Sequence, residues 1–287
     1  YSVAKGSGIS GLPSGGNTAV ELNNYVRAII EDPTYQTKHH LTVPHQLIQF
    51  MTVIRESSEN EVREWRALVL WEELNHRLVM RDPARGARTY VDWPEDLTAR
   101  YPNYIGTFHT HPYRKKLSAD VAVGFSIGDF VFYAEQYPPN YPVGINMVVS
   151  GDKLFVAIFR EVTRKVIGDD EKHEMETDEN EAEAHARAVV GNAFNTQLMQ
   201  LEEDRQNAEQ EHGVDAGAEV EREFYAGIRG YVRARADANL RMIRSAARRL
   251  QFELYIGRFG GTLHLKSDML HFAPGLKGWH QRNMARL

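Results

Sequence analysis

Gly106-Thr107-Phe108-His109-Thr110-His111-Pro112 reads as a strand that stops at a proline, and Phe125-Ser126-Ile127-Gly128-Asp129-Phe130 as the opening of a helix. On a strand, residues two apart point to the same face, so His109 and His111 can share one cation. Pro112 lacks the N–H that would extend the ladder. Ser126 fits a helix N-cap and Asp129 the third helical position, the spacing of a capping pair. Read only as a cap, the pair carries no chemistry. Three residues apart, however, they share one helix face, so the carboxylate can complete a His-His-Asp set while the hydroxyl points into it. In a chain with 12 histidines a His-x-His pair is weak evidence alone, and the third ligand decides it.

Outward from this stretch the periodicity alternates between extended and helical. Trp65 to Trp71 and Leu74 to Met80 read as strands around a polar Glu72-Glu73 turn, with Thr89 to Trp93 a third and Tyr104 to His109 a fourth. A helix is expected over Phe125 to Glu135, then a hairpin of Gly144 to Ser150 and Lys153 to Arg160 around Gly151-Asp152. Upstream, Leu22, Tyr25, Val26, Ile29 and Ile30 form one helical stripe and Leu47, Ile48, Met51 and Ile54 another. Downstream, Asp169 to Glu183 carries nine acids against one Lys, and Arg229 to Arg249 seven Arg against Asp237. Such runs are expected to be solvated helix faces attracting each other in an antiparallel pair, the alternative being a docking surface for a charged partner. Phe252 to Ile256 and Thr262 to Lys266 read as a closing hairpin.

The expected fold class is therefore mixed α/β (α+β), a mixed sheet with flanking helices and an added helical region. Its segments are a Gly/Ser-rich linker over 1–16, a helical lead-in over 17–60, a core over 61–165, the charged helices over 166–250, and a C-terminal hairpin and tail over 251–287. The linker composition and the absence of an initiator Met fit a piece processed from a larger protein.

With 34 Lys plus Arg against 39 Asp plus Glu and a net charge of −5, the chain has no global basic field to hold nucleic acid. No stretch has the roughly 18 uninterrupted apolar residues that span a bilayer. Without cysteine there is no disulfide scaffold, thiolate nucleophile or Cys-rich zinc site, so any metal must rely on His and carboxylate ligands.

The residues from about 61 to 160 resemble the JAB/MPN domain metallopeptidases with the JAMM motif, in which a Glu precedes His-x-His-Pro and Ser-x-x-Asp. The resemblance implies a Zn²⁺ ion held by His109, His111 and Asp129, with Ser126 assisting the transition state and an upstream Glu as general base. Glu64-Trp65-Arg66-Ala67-Leu68-Val69-Leu70 reproduces the layout that surrounds the family's Glu, which makes Glu64 the choice. Glu61 is the runner-up, and Glu72 and Glu73 are expected to be solvent-side turn residues. One departure is the 17 residues between His111 and Asp129, a longer loop than the family usually has. Asp120 in Ser118-Ala119-Asp120 is nearer, but two residues on a helix are turned by about 200°, so Ser and Asp would not share a face. Arg114, Lys115 and Lys116 in that loop would suit an acidic substrate tail, although a solvated basic loop is the simpler reading.

The activity so implied is hydrolysis of a peptide or isopeptide bond in a protein substrate, such as a ubiquitin-like conjugate or precursor. Two other expectations stand beside it. One is a secreted toxin or effector peptidase acting on a target-cell protein, with an immunity or docking partner on the charged helices. The other is a non-catalytic MPN-like binding scaffold, whose signature would be lost ligands. Nucleic acid and membrane are not expected partners.

Overall fold

The computed structural model describes residues 18–61, 63–86, 93–94, 96–112, 123–165, 167–190, 195–213, 216–217, 220 and 229–266. In chain order the elements are β1 (Val20–Glu21), α1 (Leu22–Glu31), β2 (His40–Thr42), α2 (His45–Glu61), β3 (Trp65–Glu72), β4 (Arg77–Arg85), α3 (Leu97–Arg100), β5 (Tyr104–His111) and α4 (Ile127–Glu135). They continue with β6 (Val143–Ser150), β7 (Lys153–Arg160), α5 (Asp169–Val190), α6 (Asn195–His212), α7 (Arg229–Leu250), β8 (Glu253–Arg258) and β9 (Leu263–Leu265).

The hairpin β6-β7 lies near the middle of the sheet, and its sequence shows why. Leu154, Val156 and Ile158 pack into one apolar cluster, while Phe155, Ala157 and Phe159 pack into another on the opposite side. A strand buried on both faces reads as a continuous apolar run rather than an alternation. Around it the nine strands follow the order β1-β2-β9-β8-β7-β6-β5-β3-β4. The pairs β5-β6 and β1-β2 are parallel and the rest antiparallel. The fold is mixed α/β.

Helices cover both faces. Leu22, Tyr25, Val26 and Ile29 of α1 and Leu47, Met51 and Ile54 of α2 pack on one face, with Ile30 and Ile48 of the predicted stripes partly buried against them. On the other face, Phe130 and Tyr133 of α4, Met175 of α5 and Met242, Ile243, Ala246, Ala247 and Leu250 of α7 pack against Phe155, Ala157 and Phe159. The Arg-rich helix is thus a covering layer of the sheet rather than an appendage. Near its C-terminal end Arg249 pairs with Glu174 and, at 3.6 Å, with Asp178 in the first half of α5, an antiparallel meeting of the basic and acidic runs.

Three features differ from the sequence reading. The lead-in contributes the short edge strands β1 and β2 besides its helices, and the closing hairpin joins the main sheet, β8 on β7 and β9 on β2. The second strand begins at Arg77 instead of Leu74, because Glu73–Asn75 form a 3₁₀ turn and His76 takes left-handed φ of 48°. Residues 89–92 of the expected third strand lie outside the described residues, as do the 1–16 linker, Asp120 and the Arg114-Lys115-Lys116 triplet.

Gly106 lets β5 lie close against β6, since a Cβ there would overlap the backbone carbonyl of Ile145. Strand backbone has no flexible end to move aside, so Gly106→Ala should cost roughly 1–3 kcal/mol through forced separation of the two strands. A lowered urea midpoint with an unchanged slope is the expected result.

Candidate metal centre

β5 pairs in parallel with β6 so that His109 lies beside Val148 and His111 beside Ser150. Neighbouring partners on paired strands point to the same face, and Val148 belongs to the cluster beneath α4 and α7. The two histidines therefore face α4, and Asp129 on its first turn meets them. The donor atoms of His109, His111 and Asp129 all lie within 4.8 Å of one another. Among the described residues no other group of three or more His, Asp or Glu side chains converges in this way. The sequence-predicted ligand set is brought together in space.

His111 and Asp129 are each oriented by a neighbour. His111 Nδ1 lies 3.0 Å from the carbonyl oxygen of Val123. A carbonyl only accepts, so this nitrogen carries the proton, and in the neutral imidazole Nε2 then keeps its lone pair. His109 is 2% exposed, with Nε2 3.3 Å from Asp129 Oδ1. Its other ring nitrogen, Nδ1, is buried with no hydrogen-bond partner. Two imidazoles and a carboxylate, with no thiolate, match the three-protein-ligand set of a catalytic zinc site. By donor chemistry, the residues fit such an ion.

Asp129 is both cap and candidate ligand. Its Oδ2 accepts from the Ser126 N–H at 2.7 Å and from the Ser126 hydroxyl at 2.9 Å, while Asp129 N–H donates to Ser126 Oγ at 3.3 Å. This is a complete capping box, and it leaves Oδ1 turned to His109. With one oxygen in the cap and the other beside His109, the two readings that the sequence posed as alternatives are compatible. The Ser126 hydroxyl proton is spent on Asp129, so donation to a substrate oxyanion requires it to exchange partners.

Glu64 sits one residue before β3 and is buried. β3 pairs antiparallel with β5, Arg66 opposite His109. Trp65 N–H donates to Thr110 Oγ1 at 3.1 Å, and the same register carried one step further sets Glu64 opposite His111. Alternation then turns Glu64 to the face of Arg66 and both histidines. The Glu64 carbonyl also accepts from Gly86 N–H at 2.8 Å, which pins this end of the strand from its other edge. Glu61 closes α2 and pairs with Arg85 at 2.9 Å. Glu72 pairs with Arg77, whose hydrogen bond holds its carboxyl below the usual range. Glu72 and Glu73 lie at the opposite end of β3, roughly 23 Å along a strand rising about 3.3 Å per residue.

Four supporting residues went unrecognised in the sequence. Thr110 Oγ1 donates to Ser58 Oγ at 2.7 Å, and Ser58 donates to the Arg63 carbonyl at 2.6 Å, tying the end of α2 to β5 behind the histidines. Val123 orients His111. Asn239 of α7 bonds both Gly124 and Phe125, just ahead of Ser126. The one local signal was Thr110, a polar residue alternating with the two histidines; the other three act across long sequence separations. No family model and no curated protein matches this chain.

Proposed function

We propose that the chain is a zinc-dependent peptidase of the JAB/MPN type, hydrolysing a peptide or isopeptide bond in a protein substrate such as a ubiquitin-like conjugate or precursor. The observation that carries the reading is the convergence of His109, His111 and Asp129; Glu64, one residue before β3, falls beside them when the register that sets Arg66 opposite His109 is extended. A zinc ion held by these three side chains would supply Lewis acidity toward a carbonyl and bring the pKa of a water to near ~7. Glu64 accepts the proton of the attacking water and returns it to the departing amine. His111 presents Nε2 because Val123 holds its Nδ1 proton, and Asp129 presents Oδ1 because Ser126 holds Oδ2. Ser126 serves the developing oxyanion if its hydroxyl leaves Asp129, an interaction worth about 3–4 kcal/mol for a well-placed donor.

The test is cleavage by the zinc-loaded full chain of a proteome-derived peptide library and a panel of ubiquitin-like conjugates. The reading expects cleavage that a chelator abolishes and added zinc restores. Absence of zinc-dependent cleavage across both panels would overturn it.

A further inference from the structure

Residues 123 to 126 form a short irregular segment that carries both anchors of the candidate centre. At one end the Val123 carbonyl holds the Nδ1 proton of His111 at 3.0 Å. At the other, Ser126 N–H and Oγ hold Asp129 Oδ2 at 2.7 and 2.9 Å. Between them, Gly124 N–H donates to Asn239 Oδ1 at 2.8 Å, and Asn239 Nδ2 donates to the Phe125 carbonyl at 2.9 Å. Asn239 is 8% exposed and lies on α7, more than a hundred residues away in sequence. The carboxamide is suited to this task because one planar group offers an acceptor and a donor side by side. The segment has little other freedom: a Cβ at Gly124 would come within 2.7 Å of the Phe155 ring, so its backbone lies flush on β7.

The geometry points to Asn239 as a positioning residue, which sets the metal ligands from outside the ligand shell by clamping the segment that orients His111 and Asp129. This rests on the metal-centre reading for its consequence, though not for its geometry. It gives the Arg-rich helix a task at the site: α7 covers the sheet with Met242, Ile243, Ala246, Ala247 and Leu250 and clamps the centre with Asn239. Glu179 of α5 adds a weaker contact to the same lip, accepting from Ile127 N–H at 3.4 Å. Outer partners of this kind change metal affinity by about 10- to 100-fold when removed.

The experiment uses the full chain as wild type, as Asn239→Ala, and as Arg244→Ala, a control on the same helix whose side chain donates to the Lys266 carbonyl. Three quantities are measured: zinc affinity by competition with a chelating dye, the visible spectrum of the cobalt-substituted protein, and the His111 tautomer by nitrogen-15 NMR in metal-free protein at pH 8. Asn239→Ala should bind zinc about 10- to 100-fold more weakly, change the cobalt absorption and lose the single Nδ1–H tautomer, while Arg244→Ala changes none of these. A lower melting temperature in Asn239→Ala with unaltered zinc affinity, cobalt spectrum and tautomer would overturn the inference and leave Asn239 a purely structural residue. If wild type binds neither metal, the metal-centre reading fails, and the tautomer alone decides Asn239. Should Asn239→Ala not fold, Asn239→Ser is read in the same way, since it keeps a small polar group in the slot but cannot span both partners.

Discussion

Glu64→Gln should abolish most turnover while leaving zinc binding and fold in place. Glutamine keeps the shape of the side chain and its capacity to hydrogen-bond, but it cannot take a proton from water. Loss of a general base typically costs about 10² to 10⁴ in rate, well beyond the effect of a bland surface change. Glu61→Gln and Glu73→Gln are the natural controls. The first removes one partner of an exposed ion pair with Arg85, worth at most about 1 kcal/mol of stability, and the second alters a turn at the far end of β3. Both should retain near-full activity. A dead Glu61→Gln with an active Glu64→Gln would mean that α2, rather than the start of β3, delivers the base. If all three retain activity, the proposed mechanism is wrong even in a protein that binds zinc.

Glu253→Ala should be strongly destabilising. Glu253 and Arg160 are each 1% exposed and bonded at 2.7 Å. Glu253 also accepts from Tyr25 at 2.7 Å and Thr37 at 3.1 Å, and Arg160 donates to the Tyr25 hydroxyl at 2.6 Å and to the carbonyls of Pro33 and Tyr35. Burial, reinforced by Glu253, pushes the Tyr25 pKa well up, so its hydroxyl stays protonated and donates. The cluster fastens α1 and the connection to β2 onto β7 and β8. Removing one partner leaves the other charge buried and uncompensated, at a cost of about 3–5 kcal/mol. At about 2–4 °C per kcal/mol for a large domain, the melting temperature should fall by roughly 6–20 °C. Replacing both partners by apolar side chains, Arg160→Met with Glu253→Leu, should cost less than Glu253→Ala alone. Equal losses for the single and double variants would show that the surrounding hydrogen bonds, rather than the stranded charge, dominate.

What was legible in the sequence obeys short-range rules. The same-face spacing of His109 and His111 and the capping spacing of Ser126 and Asp129 depend only on period two and on the first helical turn, and both are present. The apolar hairpin β6-β7 was visible because each strand is buried on both faces. β1, β2 and β9 were harder, having two or three residues each, too few to show a period. In α7 the buried stripe Met242, Ile243, Ala246, Ala247 and Leu250 is helical in spacing, but seven Arg over the same stretch drew the reading toward solvent. Asn239 and Val123 carry no local signature at all. An asparagine in a polar helix and a valine in a loop acquire meaning only when the fold sets one against Gly124 and Phe125 and the other against His111.

The central claim is that His109, His111 and Asp129 hold a metal ion, and zinc content of the purified full chain tests it most directly. After saturation with zinc and removal of loosely bound metal, the chain should carry close to one zinc. His109→Ala and Asp129→Ala should each retain the fold and lose that zinc, since two remaining ligands make a poor site. A wild-type chain that cannot be loaded with zinc, or a His109→Ala variant that holds it undiminished, would contradict the account.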